Sequence, residues 1–116
     1  MTIGDVKEIL HARFICGEDQ KEREIHSACG SDMMSDVLAF VKDQAVLLTG
    51  LCNPQVIRTA EMIDLYCIVF IRGKKPTQEM IDMAEDRDIA ILCTDHRMFN
   101  ACGMLYDNGL RGGVPY

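Results

Sequence analysis

The sequence predicts an α/β domain built on a mostly parallel sheet of about five strands, with helices packed on it. Two observations carry that expectation. Three apolar runs of strand length, Ala45–Thr49, Tyr66–Ile71 and Ile89–Cys93, each end at turn-forming residues and give way to apolar positions at helical spacing. The pitch is also regular, with 23 positions from Thr49 to Arg72 and 22 from Arg72 to Thr94. Val, Ile and Leu in unbroken runs mark strands covered on both faces. Parallel neighbours need a crossover of a dozen or more residues, which each helix supplies.

Taken in order, the chain opens with a helix over Thr2–Ala12, capped by Thr2, with Asp5 in the first turn and Val6, Ile9 and Leu10 facing inward. Arg13–Cys16 reads as a strand, and 17–23 as a charged turn. Glu24–Cys29 reads as a second strand. Gly30-Ser31-Asp32 then opens a helix with Ser31 as cap and Met34, Val37, Leu38 and Val41 as its apolar stripe. The Ala45 strand stops at Thr49-Gly50, where Asn53 is placed to cap a helix and Pro54 to fill its first turn. Val56, Ile57, Ala60 and Ile63 form that helix's inner face. The Tyr66 strand ends at Arg72-Gly73 and leads through Pro76-Thr77 into a helix bearing Met80, Ile81 and Ala84. The Ile89 strand ends at Thr94-Asp95, with Asp95 read as helix cap, before a helix bearing Met98, Ala101, Cys102 and Leu105. Residues 1–110 are expected to form one domain, and 111–116, lacking periodicity and bulk, a flexible tail.

Composition narrows the function classes. At 116 residues the chain can bury roughly two thirds of its unfolded surface without disulfides or a metal. No apolar run reaches the length of a spanning helix, and Asp5 and Glu8 stand where a signal peptide would be basic. The expectation is a soluble, cytoplasmic protein with no membrane partner. A net charge of −6 counts against nucleic acid as partner, because that binding needs a positive field, but it leaves room for a small anion at a local basic cluster. The six cysteines read as reduced thiols, since Cys67, Cys93 and Cys102 lie on apolar strand or helix faces.

In an open parallel sheet, ligands bind beyond the carboxyl ends of the strands. That edge comprises 29–32, 49–53, 72–75 and 94–97, and it gathers hydroxyls, glycines, helix starts and the cations Arg72, Lys74 and Lys75. Helix N-termini carry free N–H groups and partial positive charge, so phosphate or carboxylate suits them. Thr49, Gly50, Asn53, Arg72, Lys74 and Thr94 are the candidate contacts. Gly73-Lys74 is followed by Lys75 instead of Ser or Thr and preceded five positions earlier by Ile68, so there is no P-loop. Cys29, Cys52 and Cys93 also fall near strand ends and form an alternative metal or iron–sulfur set, although no cluster spacing supports them. Asp95-His96 reads as cap plus neighbour in preference to an acid–base pair. Asp32 and Asp36 read as helix-start charges, and His11 as a surface residue near a helix end. Eight methionines, seven of them on expected helices, suggest either an irregular interior or an adaptable surface that pairs with a second copy; the second reading is preferred.

Gly30-Ser31-Asp32-Met33-Met34-Ser35-Asp36-Val37-Leu38, Leu47-Leu48-Thr49-Gly50, Asn53, Ala60-Glu61-Met62 and Gly73-Lys74-Lys75-Pro76 together resemble the DRTGG domain family, from about Val6 to Leu110. Of the motif that names the family, Thr49-Gly50 is present and Leu51 stands in the final glycine position. The resemblance implies a three-layer α/β/α domain similar to the N-terminal domain of HPr kinase/phosphorylase. It implies a regulatory or dimerisation role without catalysis. The expectation is a stand-alone, non-enzymatic homodimeric module without a cofactor that senses a small anionic ligand such as a nucleotide. The alternatives are a redox accessory protein using Cys29, Cys52 and Cys93, and an HPr-kinase-related accessory protein without the P-loop kinase domain, acting through an unidentified protein partner.

Overall fold

The computed structural model describes residues 1–41 and 44–112. In chain order the elements are α1 (Ile3–Ile9), β1 (Arg13–Cys16), a short 3-10 turn (Glu18–Gln20), β2 (Ser27–Gly30), α2 (Met34–Phe40), β3 (Ala45–Thr49), α3 (Pro54–Met62), β4 (Cys67–Phe70), α4 (Gln78–Asp86), β5 (Ala90–Cys93) and α5 (Met98–Asp107). They form a five-stranded sheet in the order β1-β5-β4-β3-β2. Strands β2 to β5 are parallel, each beside its predecessor, and β1 closes the far edge antiparallel to β5.

The alternation of side chains along each strand divides the core in two. Leu47, Ile68, Phe70 and Ile91 face one side, where Met34 and Val37 of α2, Val56, Ile57 and Ala60 of α3, and Met80 and Ala84 of α4 cover them. Val46, Leu48, Val69 and Leu92 face the other, under Ile3 and Val6 of α1 and Ala101 and Leu105 of α5. Every residue of β3, β4 and β5 is buried, as their unbroken apolar runs demand. Three β–α–β crossovers of one hand place α2, α3 and α4 on the same face. The last helix has no further strand to reach and folds back over the opposite face beside α1. The result is the three-layer arrangement expected from the sequence.

Local chemistry sets the element ends. The Thr2 hydroxyl accepts from the Asp5 N–H at 3.1 Å and the Asp5 carboxylate from the Thr2 N–H at 2.9 Å, a reciprocal cap that holds the Asp5 carboxyl below its ordinary range. Asn53 caps α3 through the Gln55 N–H at 3.0 Å, with Pro54 in the first turn. Thr77 caps α4 through the Met80 N–H.

Four expectations need correction. Strand β2 starts at Ser27, not Glu24, because the Ile25 and His26 N–H groups bond to the Met1 and Gln44 carbonyls, outside the β2–β3 ladder. Helix α2 starts at Met34; Ser31 does not cap it but accepts from the Met33 N–H at 3.0 Å, and of the two carboxylates Asp36 lies in the first turn while Asp32 lies before the helix. Asp95 caps nothing, since Arg97 is the N-cap residue of α5 and supplies no side-chain bond. Most methionines are interior: Met34 and Met80 are buried and Met83, Met98 and Met104 pack against the core, leaving Met33 and Met62 well exposed.

Of the expected tail, Arg111 is tied down. Its carbonyl accepts from the Ala28 N–H at 2.9 Å, and its guanidinium lies 3.8 Å from the centre of the Tyr106 ring. Residues 113–116 lie outside the described residues.

Candidate functional site at the carboxyl rim

The register of the four parallel strands brings Gly30, Thr49, Phe70 and Cys93 to one rim, with the loops before α2, α3, α4 and α5 rising from it. Antiparallel β1 adds its start to the same rim, because Arg13 pairs with Cys93. His11 follows, its ring centroid 5.9 Å from that of His96.

Asp32 holds the β2 and β3 tips together. Its Oδ1 accepts from the Thr49 hydroxyl at 2.9 Å and from the Gly50 N–H at 2.7 Å. The fully buried Thr49 hydroxyl also accepts from the Leu51 N–H at 3.1 Å. Thr94 plays a parallel part at the other end of the rim: its hydroxyl donates to the Leu10 carbonyl at 2.8 Å and accepts from the His96 N–H at 3.3 Å. Both threonines, expected as ligand contacts, thus spend their hydroxyls on internal bonds and shape the rim from beneath.

Gly50 has a steric reason to be glycine. A Cβ there would lie 2.7 Å from Arg72 Nη2 and 3.5 Å from Asp32 Oδ2, so the guanidinium lies over the bare backbone beside the carboxylate. Arg72 reaches that position from a left-handed backbone, φ +57°, followed by Gly73 at +69°. The Arg72 N–H donates to the His96 carbonyl and the Gly73 N–H to the Thr94 carbonyl, both at 2.9 Å. These two bonds across to the β5–α5 loop hold a conformation that is unfavourable for a side chain with a Cβ.

Arg72, Asp95 and Arg97 line a cleft of about 580 Å³. Both arginines are exposed, and among the described residues neither takes part in an ion pair. Two guanidiniums and one carboxylate line the cleft, with the Asp32 carboxylate beside Arg72 at its edge, and α5 starts beside it with N–H groups that no side chain caps. The arrangement can hold an anion.

The other candidates divide. Asn53 spends its Oδ1 as a cap. Lys74 is exposed and acts on Cys52, while Lys75 and Arg13 act on Cys93. Burial raises the Cys52 thiol against the opposing pull of Lys74, and pushes Cys93 up to about 11 against Arg13 and Lys75. Cys29 and Cys102 are also raised, chiefly by burial, and Cys67 is pushed up to about 12. Neutral thiols of this kind are poor nucleophiles at neutral pH. Cys52 interacts with Cys93, but Cys29 interacts with Cys102. Among the described residues no three His, Cys, Asp or Glu side chains are grouped to hold a metal ion.

Sequence reasoning set Asp32 and Arg97 on the rim without giving either a contact, and it did not foresee the approach of His11 to His96. Asp32 was visible as the first carboxylate after a strand end, level with Gly50 one strand over. Arg97 was visible as the residue just before the last helix. Among the described residues no helix is long and apolar enough to cross a membrane.

Comparison with solved structures finds the same fold in the crystal structure of the CBS and DRTGG domains of the regulatory region of Clostridium perfringens pyrophosphatase complexed with activator, diadenosine tetraphosphate. The TM-score is 0.74 at 16% identity, over 90% of this chain and 45% of that one. The chain therefore spans less than half of that structure, and the likeness is one of fold. Among curated proteins no relative matches at a significant level. The family model for the DRTGG domain matches residues 5–107, and by that match the chain belongs to the DRTGG domain family.

Proposed function

We propose that this chain is a non-catalytic regulatory module that binds a small phosphate-bearing anion, such as a nucleotide, at the carboxyl rim and acts as a homodimer. The observation that carries the reading is the pair of exposed guanidiniums, Arg72 and Arg97, in one cleft without an ion pair among the described residues. Planar guanidiniums match phosphate oxygens in geometry and charge. Arg72 and Arg97 would contact the anion, Lys74 would add charge nearby, and Asp32, Thr49, Gly50 and Thr94 would keep the rim in shape. The structural neighbour's regulatory region, crystallised with a nucleotide activator, agrees with a regulatory role.

A thermal-shift panel of mono- and dinucleotides, nucleoside polyphosphates and inorganic phosphate tests this. A ligand at a hundred times its Kd stabilises the native state by about 2.7 kcal/mol, which such an assay resolves. The rise should disappear in R72A/R97A and diminish in R72A/K74A. A rise that persists undiminished in R72A/R97A would move the ligand elsewhere, and no rise with any anion would leave self-association as the function.

A further inference from the structure

The sequence holds three histidines, and two of them meet. His11 follows α1 and His96 lies in the β5–α5 loop, yet their ring centroids stand 5.9 Å apart, with the planes tilted by 42°. That tilt is neither of the arrangements ring pairs prefer, offset-parallel or edge-to-face, so ring–ring attraction does not account for the approach. The backbone does. One buried hydroxyl, that of Thr94, donates to the Leu10 carbonyl at 2.8 Å and accepts from the His96 N–H at 3.3 Å, which ties both loops to a single point. His11 takes a left-handed backbone, φ +51°, and its N–H donates to the Glu8 carbonyl. The His96 carbonyl accepts from the Arg72 N–H. Both imidazoles are thus carried on fixed backbone. His11 is exposed and His96 half-buried, so solvent reaches the pair.

We propose that His11 and His96 together bind one borderline transition-metal cation, of the class of Ni(II), Zn(II) or Cu(II). Imidazole nitrogen is a ligand these ions favour. Two imidazoles sharing one ion, each nitrogen about 2.1 Å from it, set their ring centres about 5–6 Å apart. The observed separation falls in that range, and because Thr94 already holds both loops, little ordering is left for the ion to impose. The nearby charges leave room for a cation. Asp95 and Arg97 flank His96 and offset one another, while the Arg72 guanidinium reaches away over Gly50, beyond β4. Among the described residues no third His, Cys, Asp or Glu completes a cluster, so solvent would fill the remaining positions and the ion would stay exchangeable.

Calorimetric titration of the untagged, reduced chain with Ni(II), and its melting temperature in the same metal, test the site. Wild type should bind one ion per chain and melt higher in its presence, since the two imidazoles lie together only in the folded state. H11N and H96A should each weaken binding at least about tenfold and remove the rise in melting temperature. Asparagine tolerates the left-handed backbone at His11, and the hydrogen bonds of His96 come from its backbone, so both variants should fold, as metal-free circular dichroism checks. H26A changes the third histidine, just before β2 at the opposite end of the sheet, and should bind as wild type. A wild-type chain that takes up no Ni(II) at millimolar concentration would overturn the proposal. So would binding that H11N and H96A leave intact, and its loss on alkylating the thiols would then assign the ion to cysteines.

Discussion

Replacing Asp32 by alanine should loosen the rim by a definite amount. The carboxylate takes two hydrogen bonds on one oxygen, from Thr49 and Gly50. Bonds to a charged acceptor contribute about 1.5–3 kcal/mol each when buried, but Asp32 is itself exposed and water can replace part of the Gly50 bond. The Thr49 hydroxyl is fully buried and would keep a donor without an acceptor, which costs about 1–3 kcal/mol. We expect D32A to destabilise by about 2 kcal/mol, or about 6–10 °C in Tm for a domain of this size. D32N keeps an acceptor oxygen and should lose about half as much. Thermal and urea unfolding of D32A, T49V and the double variant form a cycle whose coupling should be about 1 kcal/mol. A D32A Tm within about 2 °C of wild type, or additive single effects, would show that Asp32 does not brace β3 and that Arg72 is positioned by its backbone alone.

Two further outcomes test other parts of the fold. Gly17 sits at φ +82°, and a Cβ there would lie 2.6 Å from the Ala90 Cα, an atom of the central sheet that cannot yield. G17A should therefore cost about 3 kcal/mol or more, seen as a Tm loss above about 10 °C, and a smaller loss would contradict the packing of this turn against β5. Alkaline pH should destabilise the protein through its buried thiols. With folded values of about 12 for Cys67 and about 11 for Cys93, above an ordinary 9.0, the stabilisation is complete below pH 9. It is lost as pH rises from 9 towards 12, by up to about 1.4 kcal/mol per pH unit for each thiol, because the unfolded chain releases its protons first. Urea midpoints between pH 8 and 11 measure this, and a flat profile would refute the burial of these groups.

The sheet was legible because its cause is written locally. Strands β3, β4 and β5 are continuous apolar runs, and Asn53-Pro54 and Thr77 start helices by bonds to N–H groups two or three residues on. The pairing of β1 was not legible, since four residues with an exposed start do not reveal that they run against β5. The rim was harder still. Whether a hydroxyl there faces a ligand or the interior depends on tertiary partners: Asp32 turns Thr49 inward from 17 positions away, and Leu10 takes Thr94 from 84 away. Arg72 points over Gly50 from a left-handed backbone that composition does not announce, and which bonds to the β5–α5 loop maintain.

The Met1 carbonyl accepts from the Ile25 N–H and the Arg111 carbonyl from the Ala28 N–H, so the polypeptide enters and leaves the fold beside the same short stretch. Three residues of extended chain separate those two anchor points, about 10 Å. A fold with neighbouring entry and exit can be grafted into a surface loop of a larger polypeptide without prying the host apart. The same proximity would let the ends be joined and new ones opened at an exposed turn, and movement in a host at the graft would be felt first between Ile25 and Ala28, the approach to edge strand β2 and the first rungs of its ladder.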